Sequence, residues 1–424
     1  MSDAWIEPRS AGIRAEVAVP GDKSLSHRAL LLSAMARGSS RVAGLAPGRD
    51  VAATRDAVGL LGARIVGDRV DGPGIDAWRA PKKPIDCRNS GTTLRLLAGA
   101  LAGRPFSTTL TGDASLRQRP MRRLEAPLRA LGADITTTAA GTAPVRIAPS
   151  GPLRGADVVI DIASAQVRSA FAFAALQAEG ASTIDGPPGF RDHTERWLTA
   201  LGLGTRPSST RFVIRPGAVP PADFSIPADP SSAAYLWAAA VLLPGSEIVT
   251  PDVCLNPGRT GFLDVLVAMG APVATEITGE VHGDPIGTVT VRHAPLSGVA
   301  IGGPLVARSI DELPLLGVVA VHATGPTTVN DASELRAKES DRIASTVAML
   351  RSLGAAAEPG ADGFVVGGDG TLQGGVVDGA GDHRIVMAAA VAALAAAGTV
   401  TIRGAEAADV SWPGFFDTLN RLGR

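Results

Sequence analysis

The chain has 424 residues, enough for two or three domains and a large core, and its make-up, 45% hydrophobic and 19% charged, is globular rather than disordered. Forty basic residues against 41 acidic ones leave a net charge of −1, which excludes a global field steering the chain to nucleic acid or an anionic lipid surface. The longest clean apolar run, Ile385 to Ala397, is too short to span a bilayer.

The stretch from Met1 to Pro8 carries Asp3 and Glu7 and no apolar core, so no secretory signal is expected. Cys87 and Cys254 show no metal or redox spacing. A reducing cytoplasm is the expected location. Among the 40 basic residues only Lys23, Lys82, Lys83 and Lys338 are lysines. In such an arginine-rich background a lysine hints at a need for a compact ammonium. Lys82 and Lys83, between Pro81 and Pro84, read as a solvated loop; Lys23 and Lys338 lie in dense polar motifs.

Along the chain, apolar helices are predicted at Ser24–Arg37, Ser90–Ala102, Ser164–Glu179, Asp229–Pro244, Asp311–Thr324 and Asp382–Ala397. Each opens near a Ser or Asp suited to an N-cap. Each is followed by a glycine, at 38, 103, 180, 245, 325 and 398, and then by a short β-branched segment such as 399–402. Being apolar nearly all round, they should be buried. A second, amphipathic series ends in Leu61-Gly62, Leu131-Gly132, Leu201-Gly202, Met269-Gly270, Leu353-Gly354 and Leu422-Gly423, with the glycines 70, 70, 68, 84 and 69 residues apart. Glycine is the usual residue just past a helix end. The two series together predict six units of about 70 residues. Three per domain would give two similar α/β domains, with a boundary at 227–229.

Polar residues collect at the starts of the apolar helices, where free N–H groups and the dipole favour anions. Lys23, Ser24 and Arg28 could converge on a phosphate or carboxylate; a cap at Asp22 or Ser24 with Arg28 in solvent is the plainer alternative. Asn89-Ser90-Gly91 allows close backbone approach to a ligand, or is only a tight turn. Arg117 to Arg123 surround Pro120, which is expected to start a helix, and could equally be a basic solvated face. In Ser164-Ala165-Gln166 the serine reads as a cap and Gln166 as the unusual residue. Asp311-Glu312 fits ordinary dipole chemistry. Lys338 and Arg342, four apart, would stack two cations on one helical face and so need an anion, unless the helix is simply salt-bridged. Arg384 opposes the dipole of the last apolar helix, which a bound anion would explain. There is no Gly-x-x-x-x-Gly-Lys loop, zinc spacing or nucleophile elbow. The expected ligands are small and strongly anionic, and the chemistry falls to Lys, Asp, Glu and Arg.

The strings PGDKSLSHR (20–28), NSGTTLR (89–95), QRPM (118–121), SAQVRSA (164–170), DPSSAAY (229–235), IDELP (310–314), LRAKESDR (335–342) and GDHRIVM (381–387) follow one another in that order. The chain strongly resembles the 5-enolpyruvylshikimate-3-phosphate synthases over nearly its whole length. The resemblance implies two similar inverted α/β domains, each of three βαβαββ repeats, closing over the substrates. Residues 1–18 would join 229–424 in one domain and 19–228 would form the other, with the active site in the cleft between them. It implies transfer of the enolpyruvyl group of phosphoenolpyruvate to the 5-hydroxyl of shikimate 3-phosphate, by a monomeric cytoplasmic enzyme of aromatic amino-acid biosynthesis without metal or other cofactor. It further implies that Lys23, Ser24, Arg28, Ser164, Ala165, Gln166, Arg191, Asp311 and Lys338 hold shikimate 3-phosphate. Lys23, Asn89, Gly91, Arg119, Gln166, Arg342 and Arg384 would hold phosphoenolpyruvate. Asp311 would accept the hydroxyl proton, Glu339 would protonate the methylene carbon, and Lys23 would meet both substrates. Some relatives have Ser at Ala165, Asn at Glu334 and a Lys before the final Phe-Pro, where Val410-Ser411-Trp412-Pro413 has none. The family is the target of glyphosate, and Gly91 implies sensitivity, whereas Ser164-Ala165-Gln166 also occurs in tolerant members. Two other readings compete. A UDP-N-acetylglucosamine enolpyruvyl transferase would carry a reactive Cys between Gly112 and Arg119, where none is found. A non-catalytic repeat protein binding an anionic metabolite need not retain Lys23, Asp311, Glu339, Arg342 and Arg384 together.

Overall fold

A computed structural model of the chain describes residues 2–422. Its α-helices are α1 (Lys23–Met35), α2 (Arg49–Leu60), α3 (Gly91–Leu101), α4 (Glu125–Ala130), α5 (Ala165–Ala175), α6 (His193–Ala200), α7 (Pro230–Leu242), α8 (Gly261–Ala268), α9 (Pro304–Ser309), α10 (Leu313–Val321), α11 (Arg342–Ser352), α12 (His383–Leu394) and α13 (Phe415–Arg421). The apolar series is α1, α3, α5, α7, α10 and α12. Every residue of α7, α10 and α12 is buried, as their all-round apolar sequences require. The amphipathic partners α2, α4, α6, α8 and α11 each have the expected Leu or Met as the C-cap, and the following glycines, 62, 132, 202, 270 and 354, take positive φ. That left-handed backbone satisfies the last carbonyls without a Cβ clash. Leu422 caps α13 likewise, but Gly423 lies outside the described residues, as do Met1 and Arg424.

The repeat also appears in the sheets. In the second unit Ile85–Asp86 runs parallel to Thr108–Thr111, which pairs antiparallel with Val145–Ala148, and that strand pairs antiparallel with Asp134–Thr136. Asp157–Val159, Ser182–Asp185, Phe212–Ile214 and Gly204–Thr205 repeat the pattern, as do Ala300–Ile301, Thr327–Val329, Phe364–Val366 and Ala357–Pro359. The first copy takes its leading strand from Phe224–Ser225, and the fourth takes it from Arg14–Glu16, parallel to Glu247–Cys254. The sixth pairs Gly375–Asp378 with Val400–Arg403 in parallel and is completed by Ala4–Ile6 in antiparallel. The long gap between Gly270 and Gly354 contains two nine-residue strands, Val273–Val281 and Asp284–Arg292, where other copies use strands of two to five.

The chain divides into two compact units, one of residues up to Pro20 with Ala228–Gly279 and Pro285 onward, the other of Gly21–Pro227 with Glu280–Asp284. Within the latter, α3 and α5 approach so closely that a Cβ at Gly99 would lie 1.9 Å from the Ala170 carbonyl oxygen, so no larger residue fits. Arg168 on α5 donates from Nε to Glu195 on α6 at 2.8 Å, with 2% and 3% of the two side chains exposed, and packs 4.0 Å from the Phe190 ring centre. Glu195→Ala would strand this guanidinium in the core, so a loss of about 3–5 kcal/mol is expected, read from chemical denaturation midpoints against wild type.

Among the described residues no helix is long and apolar enough to cross a membrane.

Candidate active site

In the unit holding Gly21–Pro227, the candidate ligands sit at the starts of α1, α3 and α5. Asp22 caps α1, accepting from the Leu25 N–H at 2.8 Å, and Ser24 is the helix's second residue. Lys23 opens α1 and places Nζ 3.0 Å from Asp50 Oδ2 on α2. Arg28 is not on a solvated face: it is 2% exposed and donates from Nε to Thr194 Oγ1 at 2.7 Å and from Nη2 to Ser169 Oγ at 2.9 Å. Its Nη1 donates to the Ser24 carbonyl at 2.8 Å. His27, one helical turn on from Lys23, pairs with Thr54 at 2.7 Å, and Thr54 with Thr93 on α3. Burial, with Lys23 and Arg28 nearby, holds the His27 pKa well below its usual value, so the imidazole is neutral at pH 7.

Ser90 caps α3 and Ser164 caps α5. Arg119 donates to the Asn89 side-chain oxygen at 2.5 Å and to its carbonyl at 3.1 Å, while Asn89 donates to Asp113 at 2.8 Å. Gln166, in the first turn of α5, donates to Thr92 at 2.9 Å and accepts from Arg95. A Cβ at Gly91 would meet Arg95 Nη1 at 2.9 Å and Arg119 Nη1 at 3.5 Å. Asn89, Gly91, Arg119 and Gln166 thus form one cluster joined through Arg95. Ala165 is the first residue of α5, and Arg191 is half-buried in the segment entering α6. Pro120 does not start a helix: it separates 3-10 turns at Leu116–Gln118 and Arg122–Leu124, and α4 begins only at Glu125.

In the other unit, Asp311 departs from the expected helix start. α10 begins at Leu313 with Glu312 at its cap. Released from capping, Asp311 accepts from Arg342 Nη1 at 3.0 Å and lies 3.5 Å from Lys338 Nζ. Lys338 and Arg342 do not share a helical face either, because Ser333–Ala337 is a 3-10 turn, Lys338 is extended and Asp341 caps α11. The anion their proximity demands is supplied by the protein. Arg342 is 1% exposed and also donates to Glu339 at 2.6 Å and to Asp382 at 2.8 and 3.2 Å. Burial pulls its pKa down, and Asp382, Glu339 and Asp311 more than reverse this, leaving it well above the ordinary value.

Arg384, 5% exposed in the first turn of α12, has Nη1 3.4 Å from the Ser231 carbonyl and 3.9 Å from Glu312 Oε1, while its buried Nε has no protein partner. Such an unsatisfied cationic donor is costly without a ligand. Its neighbour Tyr235 has its pKa pushed up to about 12, chiefly by burial. Glu312 accepts from Ser231, and Ser231 and Asp229 accept from Arg259 at 3.0 and 2.7 Å. Sequence reasoning missed Asp50, Glu312 and Asp382 as partners of the candidate cations, and Asp113 as a partner of Asn89. Of these, Glu312 and Asp382 carried a signal, lying inside the IDELP and GDHRIVM strings.

A family model described as EPSP synthase (3-phosphoshikimate 1-carboxyvinyltransferase) matches residues 8–419. A 3-phosphoshikimate 1-carboxyvinyltransferase from Roseiflexus castenholzii is 45% identical over all of both chains. One from Chloroflexus aurantiacus is 48% identical over 96% of each. The solved EPSP synthase of Acinetobacter baumannii superposes with a TM-score of 0.87 at 36% identity, covering 99% of this chain and 98% of that one. The enolpyruvyl transferase NikO of Streptomyces tendae, at 18% identity and a TM-score of 0.80, shares the fold over 99% of this chain and 97% of its own. Sequence, repeat architecture and these likenesses agree: the chain belongs to the EPSP synthase (3-phosphoshikimate 1-carboxyvinyltransferase) family.

Proposed function

We propose that the protein transfers the enolpyruvyl group of phosphoenolpyruvate to the 5-hydroxyl of shikimate 3-phosphate and releases phosphate, as a cytoplasmic monomer needing no metal or other cofactor. The observation that carries this reading is the meeting of two candidate proton carriers, Asp311 and Glu339, on one buried guanidinium, Arg342, in a chain of this family. The residues at the starts of α1, α3 and α5 and those around Arg342 serve one substrate pair. Lys23, Ser24, Arg28, Ser164, Ala165, Gln166, Arg191 and Lys338 hold shikimate 3-phosphate. Asn89, Gly91, Arg119, Gln166, Arg342 and Arg384 hold phosphoenolpyruvate, with Lys23 between the two substrates. Desolvated cations and helix N-termini suit ligands that bring two phosphates and two carboxylates.

In the addition step Asp311 takes the proton of the 5-hydroxyl as that oxygen attacks C2 of phosphoenolpyruvate, and Glu339 protonates C3 to give a tetrahedral ketal. Phosphate then leaves C2 as C3 gives up a proton, restoring the double bond. Fixing both substrates removes much of the entropic barrier. The test is release of inorganic phosphate from phosphoenolpyruvate with and without shikimate 3-phosphate. Release only with both substrates is expected; release with UDP-N-acetylglucosamine instead would reassign the acceptor, and none with either would leave an anion-binding repeat protein.

Gly91 bears on inhibition by glyphosate, which would occupy the phosphoenolpyruvate site. A methyl group there pushes on Arg95, whose Nη2 is tied to the Pro120 carbonyl at 3.1 Å and whose Nη1 holds Gln166. Overpacking of this kind costs about 1–3 kcal/mol. Glyphosate is longer than phosphoenolpyruvate and should suffer more. Gly91→Ala is therefore expected to raise the glyphosate inhibition constant by a larger factor than the KM for phosphoenolpyruvate. Equal shifts would mean that Gly91 does not discriminate between them.

A further inference from the structure

The guanidinium of Arg342 is gripped along two edges. Asp382 takes one edge, with Nε 2.8 Å from Oδ2 and Nη2 3.2 Å from Oδ1. Asp311 and Glu339 share the other, one oxygen each, on Nη1 at 3.0 Å and Nη2 at 2.6 Å. The Nη1/Nη2 edge is one on which a single carboxylate binds as a fork. Here two separate protein carboxylates occupy it.

The two edges differ in how firmly they are held. Asp382 is fully buried, caps α12 by accepting from the Arg384 N–H at 2.9 Å, and accepts from Ser340 Oγ at 3.0 Å. Asp311 and Glu339 lie outside the helices, with 16% and 14% of their side chains exposed. Lys338 Nζ, 3.5 Å from Asp311, is a second cation that can keep Asp311 when Arg342 lets go.

We infer that Asp382 is a positioning residue for Arg342, and that Asp311 and Glu339 are placeholders which the carboxylate of phosphoenolpyruvate displaces from the outer edge of the guanidinium. The inference rests on the functional reading above and deepens it. A buried guanidinium cannot give up all its acids at once, because an uncompensated charge in the core is strongly unfavourable. Asp382 therefore stays while the outer pair is exchanged. The exchange frees the proton acceptor and the proton donor from Arg342 when the substrate that needs them arrives. Without substrate, both are tied to a cation and idle.

The test measures the Kd of 2-phospholactate, the saturated and unreactive counterpart of phosphoenolpyruvate, by calorimetry with shikimate 3-phosphate saturating. Wild type, Asp311→Asn, Glu339→Gln and Asp382→Asn are compared as full chains. A placeholder that leaves about a tenth of molecules competent inflates Kd about tenfold. Asp311→Asn and Glu339→Gln should thus tighten binding about three- to tenfold, while Asp382→Asn should weaken it about tenfold, by the same relation. Simple charge repulsion predicts tightening in all three, since each variant loses a negative charge near an anionic ligand. A shared direction, or no tightening in the outer pair, overturns the inference. Asn caps a helix about as well as Asp, and a melting scan checks that Asp382→Asn is folded. If it is not, the two outer variants decide alone. Failure of wild type both to bind 2-phospholactate and to release phosphate defeats the functional reading and this inference together; normal turnover with the wrong signs defeats only the inference.

Discussion

Asp311→Ala and Glu339→Ala should each lower turnover by about 10²–10⁴, the usual contribution of a positioned proton acceptor or donor. Both side chains are partly exposed and bonded to Arg342 through one oxygen. Arg342 would keep its two bonds to Asp382 in either variant, so the fold should survive and the loss should lie in kcat. Shikimate 3-phosphate should still bind Glu339→Ala, which places the defect after binding. Asp311→Ala removes a partner of Lys338 as well, so its affinity for shikimate 3-phosphate should drop too. Near-normal turnover in Glu339→Ala would mean that the donor is another group. Single-turnover measurements of ketal formation separate the roles: both variants should be slow in addition, not only in elimination.

Lys23→Arg is the second large effect expected. Lys23 Nζ is held 3.0 Å from Asp50 at the first position of α1, with 19% of the side chain exposed. A compact ammonium can meet several anions from one point, whereas a planar fork imposes its own directions. A reacting group displaced by about 1 Å can cost 10²-fold. Turnover should therefore fall by about that factor while the melting temperature stays near wild type. Asp50→Asn is the companion variant. It removes one charged partner of the ammonium, so KM for both substrates should change while kcat falls less than in Lys23→Arg. Wild-type kcat in Lys23→Arg would remove Lys23 from the reacting centre.

Much of the architecture was legible because it follows from local rules repeated six times. The Leu-Gly endings reported helix termini, since a positive φ after the last turn selects glycine at any position of the fold. The Ala- and Leu-rich helices reported burial because they lack a polar face. Four of the six predicted starts, Ser90, Ser164, Asp229 and Asp382, are caps, and α1 is capped by Asp22, two residues before its predicted start at Ser24. The fifth repeat broke the rule. An Asp before an apolar helix looks like a cap in sequence, but at Asp311 the side chain pairs with Arg342 from a segment 31 residues away. Spacing along the chain cannot register that competition.

The sequence by itself determined the fold class, the sixfold repeat, the family and the set of polar residues gathered at helix starts, because helix periodicity, capping and motif order are properties of neighbouring residues. Tertiary structure alone decided which acid meets which cation. Lys23 with Asp50 and Arg342 with Asp311, Glu339 and Asp382 are, save for Glu339, pairings across 27 to 40 residues. Tertiary structure also decided that Arg28 is buried and not on a solvated face, and that Arg342 is buried and not stacked with Lys338 on one helical face. The physical reason is that a buried charge must be compensated in three dimensions, and the partner that does so is chosen by the packing of helices, not by distance along the chain.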